Sequence, residues 1–184
     1  MKVISELVTN GKISVKKGFT FIEIMVVVVI VGILAAASVP KFLGAIAKSK
    51  ATEVTVTVSE WDKLETAYIG NKKIAGTWKD IGFDPPGKED KDGRFATSYF
   101  KYREDLTENN KSGSGTQLGI SVYNTIVLND CTPDEKFSHW QFKVITPKSG
   151  DAYIIQPLTG NTAECLVLTP TLQNKYPGIT NRNP

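Results

Sequence analysis

Hydrophobic and polar positions divide the chain into three stretches. From 19 to 39 nearly every residue is apolar, Glu23 is the one charge, and the run ends at Pro40-Lys41. As a helix, such a stretch rises roughly 32 Å, about one bilayer core. From 42 to 68 the pattern becomes amphipathic. Apolar residues recur at Leu43, Ile46, Ala47, Ala51, Val54, Val58, Trp61, Leu64 and Tyr68, close to the helical period. Lys50, Glu53, Glu60, Asp62 and Lys63 fall largely off that stripe. The β-branched alternation Val54-Thr55-Val56-Thr57-Val58 would suit a strand, but helical period on both sides carries a helix through it. Gly70-Asn71 supplies a stop signal.

After residue 70 the pattern turns to short apolar runs separated by turn residues. Thr77 is placed to cap a short turn over 78–81 before Gly82, Asp84-Pro85-Pro86-Gly87 breaks the chain, and 88–94 reads as a charged turn. Strands are predicted at 95–103, 117–128, 138–146, 152–156 and 163–168. A flexible loop is predicted over 109–116 and a hairpin turn at Pro147-Lys148-Ser149-Gly150-Asp151. The tail 169–184, rich in Pro, Asn and Thr, is expected to be irregular. One long helix followed by runs of strands predicts an α+β fold, an antiparallel sheet packed on the C-terminal half of the helix. Pro40 removes a backbone hydrogen bond and is expected to kink or loosen the preceding turn, or to mark the end of an apolar span.

Charge sharpens this division. The formal net charge is +3. Lys2, Lys12, Lys16 and Lys17 against Glu6 place all of it in residues 1–18, and the remainder is balanced. The basic excess is therefore no argument for nucleic-acid binding, and a neutral body favours self-association over repulsion. Tyr99, Phe100, Lys101, Tyr102 and Arg103 mix aromatics with bases, but alternation in a strand separates them into a core face and a solvent face. No nucleic-acid partner is assigned.

Catalytic and metal chemistry find little support. One histidine, His139, with no partnered nucleophile allows no triad, and Gly113-Ser114-Gly115 lacks a strand-to-helix context. His139 beside Trp140 reads as a surface or packing residue. Trp61, Trp78 and Trp140 read as core. Asp90-Lys91-Asp92-Gly93 has part of a calcium-loop spacing, but Lys88 occupies a ligand position and Glu104 and Asp105 are out of register. A solvated turn is the default there. Cys131 and Cys165 are the only cysteines and match no metal spacing. Outside the cytoplasm they would form a disulfide, which closes a long loop and stabilises by about 3–4 kcal/mol; inside it they would be buried free thiols.

Three readings of the N-terminal segment compete. An ordinary signal peptide would be cut after Ala35-Ala36-Ala37, before Ser38. An uncleaved anchor would hold a soluble domain at the membrane. The third is cleavage after Gly18, leaving the whole apolar run on the mature chain. Lys17-Gly18-Phe19-Thr20-Phe21-Ile22-Glu23, the apolar run and Pro40 resemble the prepilin signal of type IV pilins and type II secretion pseudopilins. Phe21 stands where leucine is more usual. Lysines on both sides of the span leave orientation undecided by charge.

The resemblance implies the pilin fold and a non-enzymatic structural subunit without cofactors. It implies leader cleavage between Gly18 and Phe19, N-methylation of Phe19, and Glu23 as the assembly carboxylate that meets the Phe19 ammonium of a neighbouring copy. It divides the chain into a leader (1–18), a transmembrane and assembly half-helix (19–40), an amphipathic half-helix (41–70) and a globular domain (71–184). Its partners are other copies of the chain, a prepilin peptidase, an inner-membrane platform with its ATPase, and the membrane. The precursor would sit in the inner membrane, and the mature form in an extracellular pilus. Secretion pseudopilins forming a periplasmic piston are the alternative; they tend to lack a C-terminal cysteine pair, so Cys131 and Cys165 favour a pilus. Some bind calcium in this domain, which leaves calcium open with no ligands named. A monomeric membrane-tethered binding domain is a further alternative.

Overall fold

The computed structural model describes residues 18–107, 115–134, 136–146, 154–159 and 163–176. By its contacts the chain divides into Met1–Pro40 and Lys41–Pro184. Helix α1, Phe21–Lys72, runs through both, with Pro40 inside it. In the first unit its apolar side chains, from Phe21 to Val39, are exposed.

In the second unit α1 buries Ala47, Ala51, Val54, Thr57, Val58, Trp61, Glu65 and Ile69, spacings of three and four that define one face. The Val54–Val58 stretch is helical as expected: Val54 and Val58 are buried while Val56 is exposed. The helix does not stop at Gly70-Asn71. It ends where Lys73 turns left-handed (φ 63°) and donates its N–H to Ile69 O at 2.8 Å. Gly70 permitted an end that no contact enforced.

The short helix α2, Trp78–Ile81, follows, with Thr77 and Asp80 forming a capping box and Gly82 left-handed at its end. Six strands then form one antiparallel meander in sequence order. They are β1 (Lys88–Glu89), β2 (Phe95–Ala96), β3 (Phe100–Glu104), β4 (Gly115–Asn124), β5 (Trp140–Thr146) and β6 (Ile154–Thr159). Phe100, Tyr102, Ile120, Val122, Trp140, Phe142 and Val144 are buried toward α1, and Trp61 meets Phe142 at 6.5 Å between ring centroids. The α+β expectation, helix on antiparallel sheet, is met.

Several element boundaries differ from expectation. The single strand predicted at 95–103 is two, β2 and β3, because the Thr97 hydroxyl accepts the N–H groups of Tyr99 (3.3 Å) and Phe100 (3.1 Å) and turns the chain. The charged segment 88–94 contributes β1 and then turns: Asp90 N–H bonds Arg94 O at 2.7 Å and its Oδ1 accepts from Asp92 and Arg94 N–H, each at 2.9 Å. Strand β4 ends at Asn124, whose Nδ2 donates to Ile126 O (2.9 Å) and Cys131 O (3.1 Å).

The strand predicted at 163–168 is instead helix α3, Ala163–Leu166, in a segment that buries Cys165, Leu166 and Leu168. A short apolar run does not distinguish strand from helix, and here the tether at Cys165 and the burial of adjacent residues select the helix. The tail expected to be irregular contains α4, Pro170–Lys175, with Pro at its first turn and Leu172 buried. The turn predicted at 147–151 and most of the loop predicted at 109–116 lie outside the described residues; Gly115 and Thr116 belong to β4.

Candidate functional site

The site proposed from the sequence is the start of α1. Thr20 precedes the helix and Glu23 lies in its first turn. The Thr20 N–H and hydroxyl both donate to Glu23 Oε2, at 2.8 and 2.6 Å, and the Glu23 N–H donates to Thr20 Oγ1 at 3.3 Å. This reciprocal pair is a capping box, and it satisfies N–H groups that a helix start leaves open. Sequence reasoning read Glu23 only as an assembly group and missed Thr20, although the spacing Thr20-Phe21-Ile22-Glu23 is the capping signature. Oε2 is thus fixed within the chain, while Oε1 carries no hydrogen bond among the described residues. Gly18 and Phe19 are exposed just ahead of the helix. α1 is long and apolar enough to cross a membrane, and its apolar window is not buried within the chain.

The second unit holds the other sequence-selected residues. Cys131 and Cys165 form a disulfide with Cα atoms 4.7 Å apart. His139, buried beside Trp140, comes with both sulfurs within a 4.8 Å group. With the sulfurs bonded to each other, the group has no thiolate to offer a metal. Burial lowers the His139 pKa, opposed by the charge of Asp134, so the imidazole is neutral and serves the core. Trp61, Trp78 and Trp140 are all buried, as expected, and the Trp140 indole donates to Thr169 Oγ1 at 2.9 Å.

Two acids on α1 were not singled out from the sequence. Asp62 Oδ2 accepts the Tyr176 hydroxyl at 2.6 Å and pairs with the Lys175 ammonium, which ties the end of α4 to α1. Burial and this carboxylate raise the Tyr176 pKa far above its usual value. Glu65 is fully buried, and its Oε1 accepts the Gly76 N–H at 2.9 Å. Burial raises its pKa to about 7; the Gly76 bond opposes the rise, and the charges of Glu104 and Asp80 add to it. The helical repeat through Trp61 and Ile69 was the signal that could have placed Glu65 on the buried face.

Residues 13–39 match the family described as "Prokaryotic N-terminal methylation motif". Over 139 residues the chain is 36% identical to a fimbrial protein of Dichelobacter nodosus, an alignment covering 73% of this chain and 78% of that protein. It is 31% identical over 118 residues to a type IV major fimbrial protein FimA of the same organism, covering 64% and 67%. A third relative, the type IV major pilin protein PilA of Myxococcus xanthus, is 36% identical over 70 residues, 38% of this chain and 32% of that one. No solved structure matches.

Proposed function

The chain belongs to the type IV pilin family and is a structural subunit of a pilus rather than an enzyme, and from that premise we propose how it is processed, anchored and polymerised. The leader, residues 1–18, is removed between Gly18 and Phe19 by a prepilin peptidase, and Phe19 is N-methylated. Before assembly the apolar half of α1, residues 19–40, holds the subunit in the inner membrane as a single span. The remainder, 41–70 of the helix and the globular part 71–184, lies outside the cytoplasm, where the Cys131–Cys165 bridge persists.

Polymerisation exchanges lipid for protein around 24–39. The Phe19 ammonium of one subunit meets Glu23 of the next, which neutralises a carboxylate that costs about 2.5–3.5 kcal/mol at mid-bilayer and sets the register of helix on helix. The observation that carries this reading is the geometry of Glu23: Thr20 holds Oε2, and Oε1 is left to accept from another molecule. The capping box orients the carboxylate without consuming it. Pro40 supplies a point where α1 can loosen as subunits pack. An inner-membrane platform and ATPase drive the transfer, and the finished polymer is extracellular. The disulfide and the fimbrial names of the relatives favour a pilus over a periplasmic secretion pseudopilus.

Shearing cells and measuring the N-terminal mass of the recovered fibre tests the scheme. Long fibres whose subunits begin at methylated Phe19 are expected. A start at Ser38 would return the ordinary signal peptide, an unprocessed chain the permanent anchor, and a periplasmic fraction alone the secretion pseudopilus.

A further inference from the structure

The sheet face opposite α1 carries a cavity of about 200 Å³. Arg94, Lys101, Asn124 and Thr125 at the end of β4, Pro133 and Asp134 line it. Tyr123 also lines it and is buried, with two guanidinium groups against its ring: Arg94 at 5.2 Å and Arg103 at 5.4 Å from the centroid.

The charges around this cavity are unevenly satisfied. Arg103 is paired with Asp105 at 2.8 Å. Lys101 has a loose contact with Asp90 at 3.6 Å. Arg94 makes no ion pair among the described residues, although it stands beside a second cation. Asp134 Oδ1 accepts the backbone N–H of Lys136 at 2.8 Å and of Phe137 at 3.3 Å; Oδ2 carries no hydrogen bond among the described residues. Asn124 is buried, and its Oδ1 likewise has no hydrogen-bond partner among the described residues.

Two cations and a carboxylate lining one cavity select a kind of ligand. A bare anion gains from Arg94 and Lys101 but is repelled by Asp134. A neutral polyol gains from Asp134 and Thr125 but leaves Arg94 unpaired. A molecule that carries both an acidic group and hydroxyls satisfies both kinds of lining group. The volume is below the roughly 300–1,000 Å³ of drug-sized sites, which limits the occupant to about one ring. A nucleic-acid strand fits less well, because the Tyr123 ring is buried and already engaged by two guanidinium groups.

We propose that this cavity binds a single acidic sugar unit, its anionic group held by Arg94 and Lys101 and its hydroxyls by Thr125 and Asp134. A guanidinium can take a carboxylate through two parallel hydrogen bonds, which a lysine cannot reproduce, so Arg94 is the principal contact. The disulfide supports the site from behind, because Cys131 O accepts from the Asn124 side chain and the segment after Cys131 supplies Pro133 and Asp134. The site gives the sheet surface a recognition role that the helix does not have.

Isothermal titration of the full chain in detergent micelles tests this with three probes: glucuronate, glucose and inorganic phosphate. Glucuronate is expected to bind at least tenfold more tightly than either of the others. Arg94→Gln is expected to weaken glucuronate at least tenfold, while Lys143→Gln, on β5 outside the cavity, leaves it unchanged. Asp134→Asn retains the Oδ1 contacts to the backbone and is expected to strengthen phosphate and narrow its gap to glucuronate. Glucuronate binding no tighter than phosphate, or indifferent to both Arg94→Gln and Asp134→Asn, overturns the proposal. Tighter binding of a single-stranded oligonucleotide than of glucuronate, lost in Arg94→Gln, overturns it in favour of nucleic acid.

Discussion

Glu65 on α1 and Gly76 in the loop before α2 are joined by a buried hydrogen bond of 2.9 Å, carboxylate oxygen to backbone N–H. The bond spans eleven residues and fastens the turn after the long helix back onto it. Its second oxygen, Oε2, is buried with no hydrogen-bond partner among the described residues. A charged carboxylate in that position leaves one oxygen uncompensated, which is why burial raises the pKa to about 7, with Glu104 on β3 and Asp80 on α2 adding to the rise.

This has a defined pH signature. In the folded state Glu65 keeps its proton up to about pH 7, whereas unfolded it titrates near 4.5. Between those values the folded state binds more protons, so stability falls as pH rises from about 4.5 to 7 and levels off above. The full shift corresponds to about 3 kcal/mol. Urea unfolding of the detergent-solubilised chain at a series of pH values is expected to show this decline. Glu65→Gln is expected to flatten it and to match or exceed the parent at pH 8; an equally steep decline in the variant would remove Glu65 as its source.

Glu23 and Thr20 share the capping box but not the same role. Glu23→Val is expected to leave membrane insertion no weaker, since an intramembrane charge is gone, and to cut fibre yield at least tenfold. Thr20→Val breaks the cap at a cost of about 1 kcal/mol while the carboxylate remains, and fibre yield is expected to stay within threefold of the parent. Equal loss in both variants, measured by fibre recovery after shearing, would mean that helix capping alone accounts for the effect.

The disulfide links residues separated by 34 positions. Closing a loop of that length stabilises by about 3–4 kcal/mol in the chain-entropy model. Cys131→Ala with Cys165→Ala is expected to lower the urea midpoint of the second unit accordingly. Sugar binding should weaken in the same variant, because Asn124 and the segment carrying Asp134 lose their support.

Gly119 lies at the register shift between Leu118 and Ile120 in β4, directly under Trp61. A Cβ there would stand 2.5 Å from Trp61 Cζ2 and 2.7 Å from Cη2. Trp61 is fully buried and has no room to withdraw. Gly119→Ala is therefore expected to destabilise by about 1–3 kcal/mol, read as a lower thermal midpoint, whereas Gly32→Ala in the apolar half of α1, with open space around it, should leave the isolated subunit's midpoint unchanged.

What was legible in the sequence and what was not follows from the range of the interactions. The apolar run, the amphipathic stripe from Ala47 to Trp61, the Thr77 cap and the helix-on-sheet class were readable, because hydrophobic periodicity and capping act over a few neighbouring residues. The helicity of 54–58 was decided by the same local rule against its β-branched composition. Three features came only from the tertiary structure. Helix α3 at 163–166 depends on a tether to Cys131 far back in the chain. The burial of Glu65 depends on Gly76, Asp80 and Glu104 closing over it. The cavity above Tyr123 depends on β3, β4 and the disulfide loop arriving together. A single sequence records the local propensities of such residues but not the partners that override them, and desolvation, loop closure and charge placement are set only when distant segments meet.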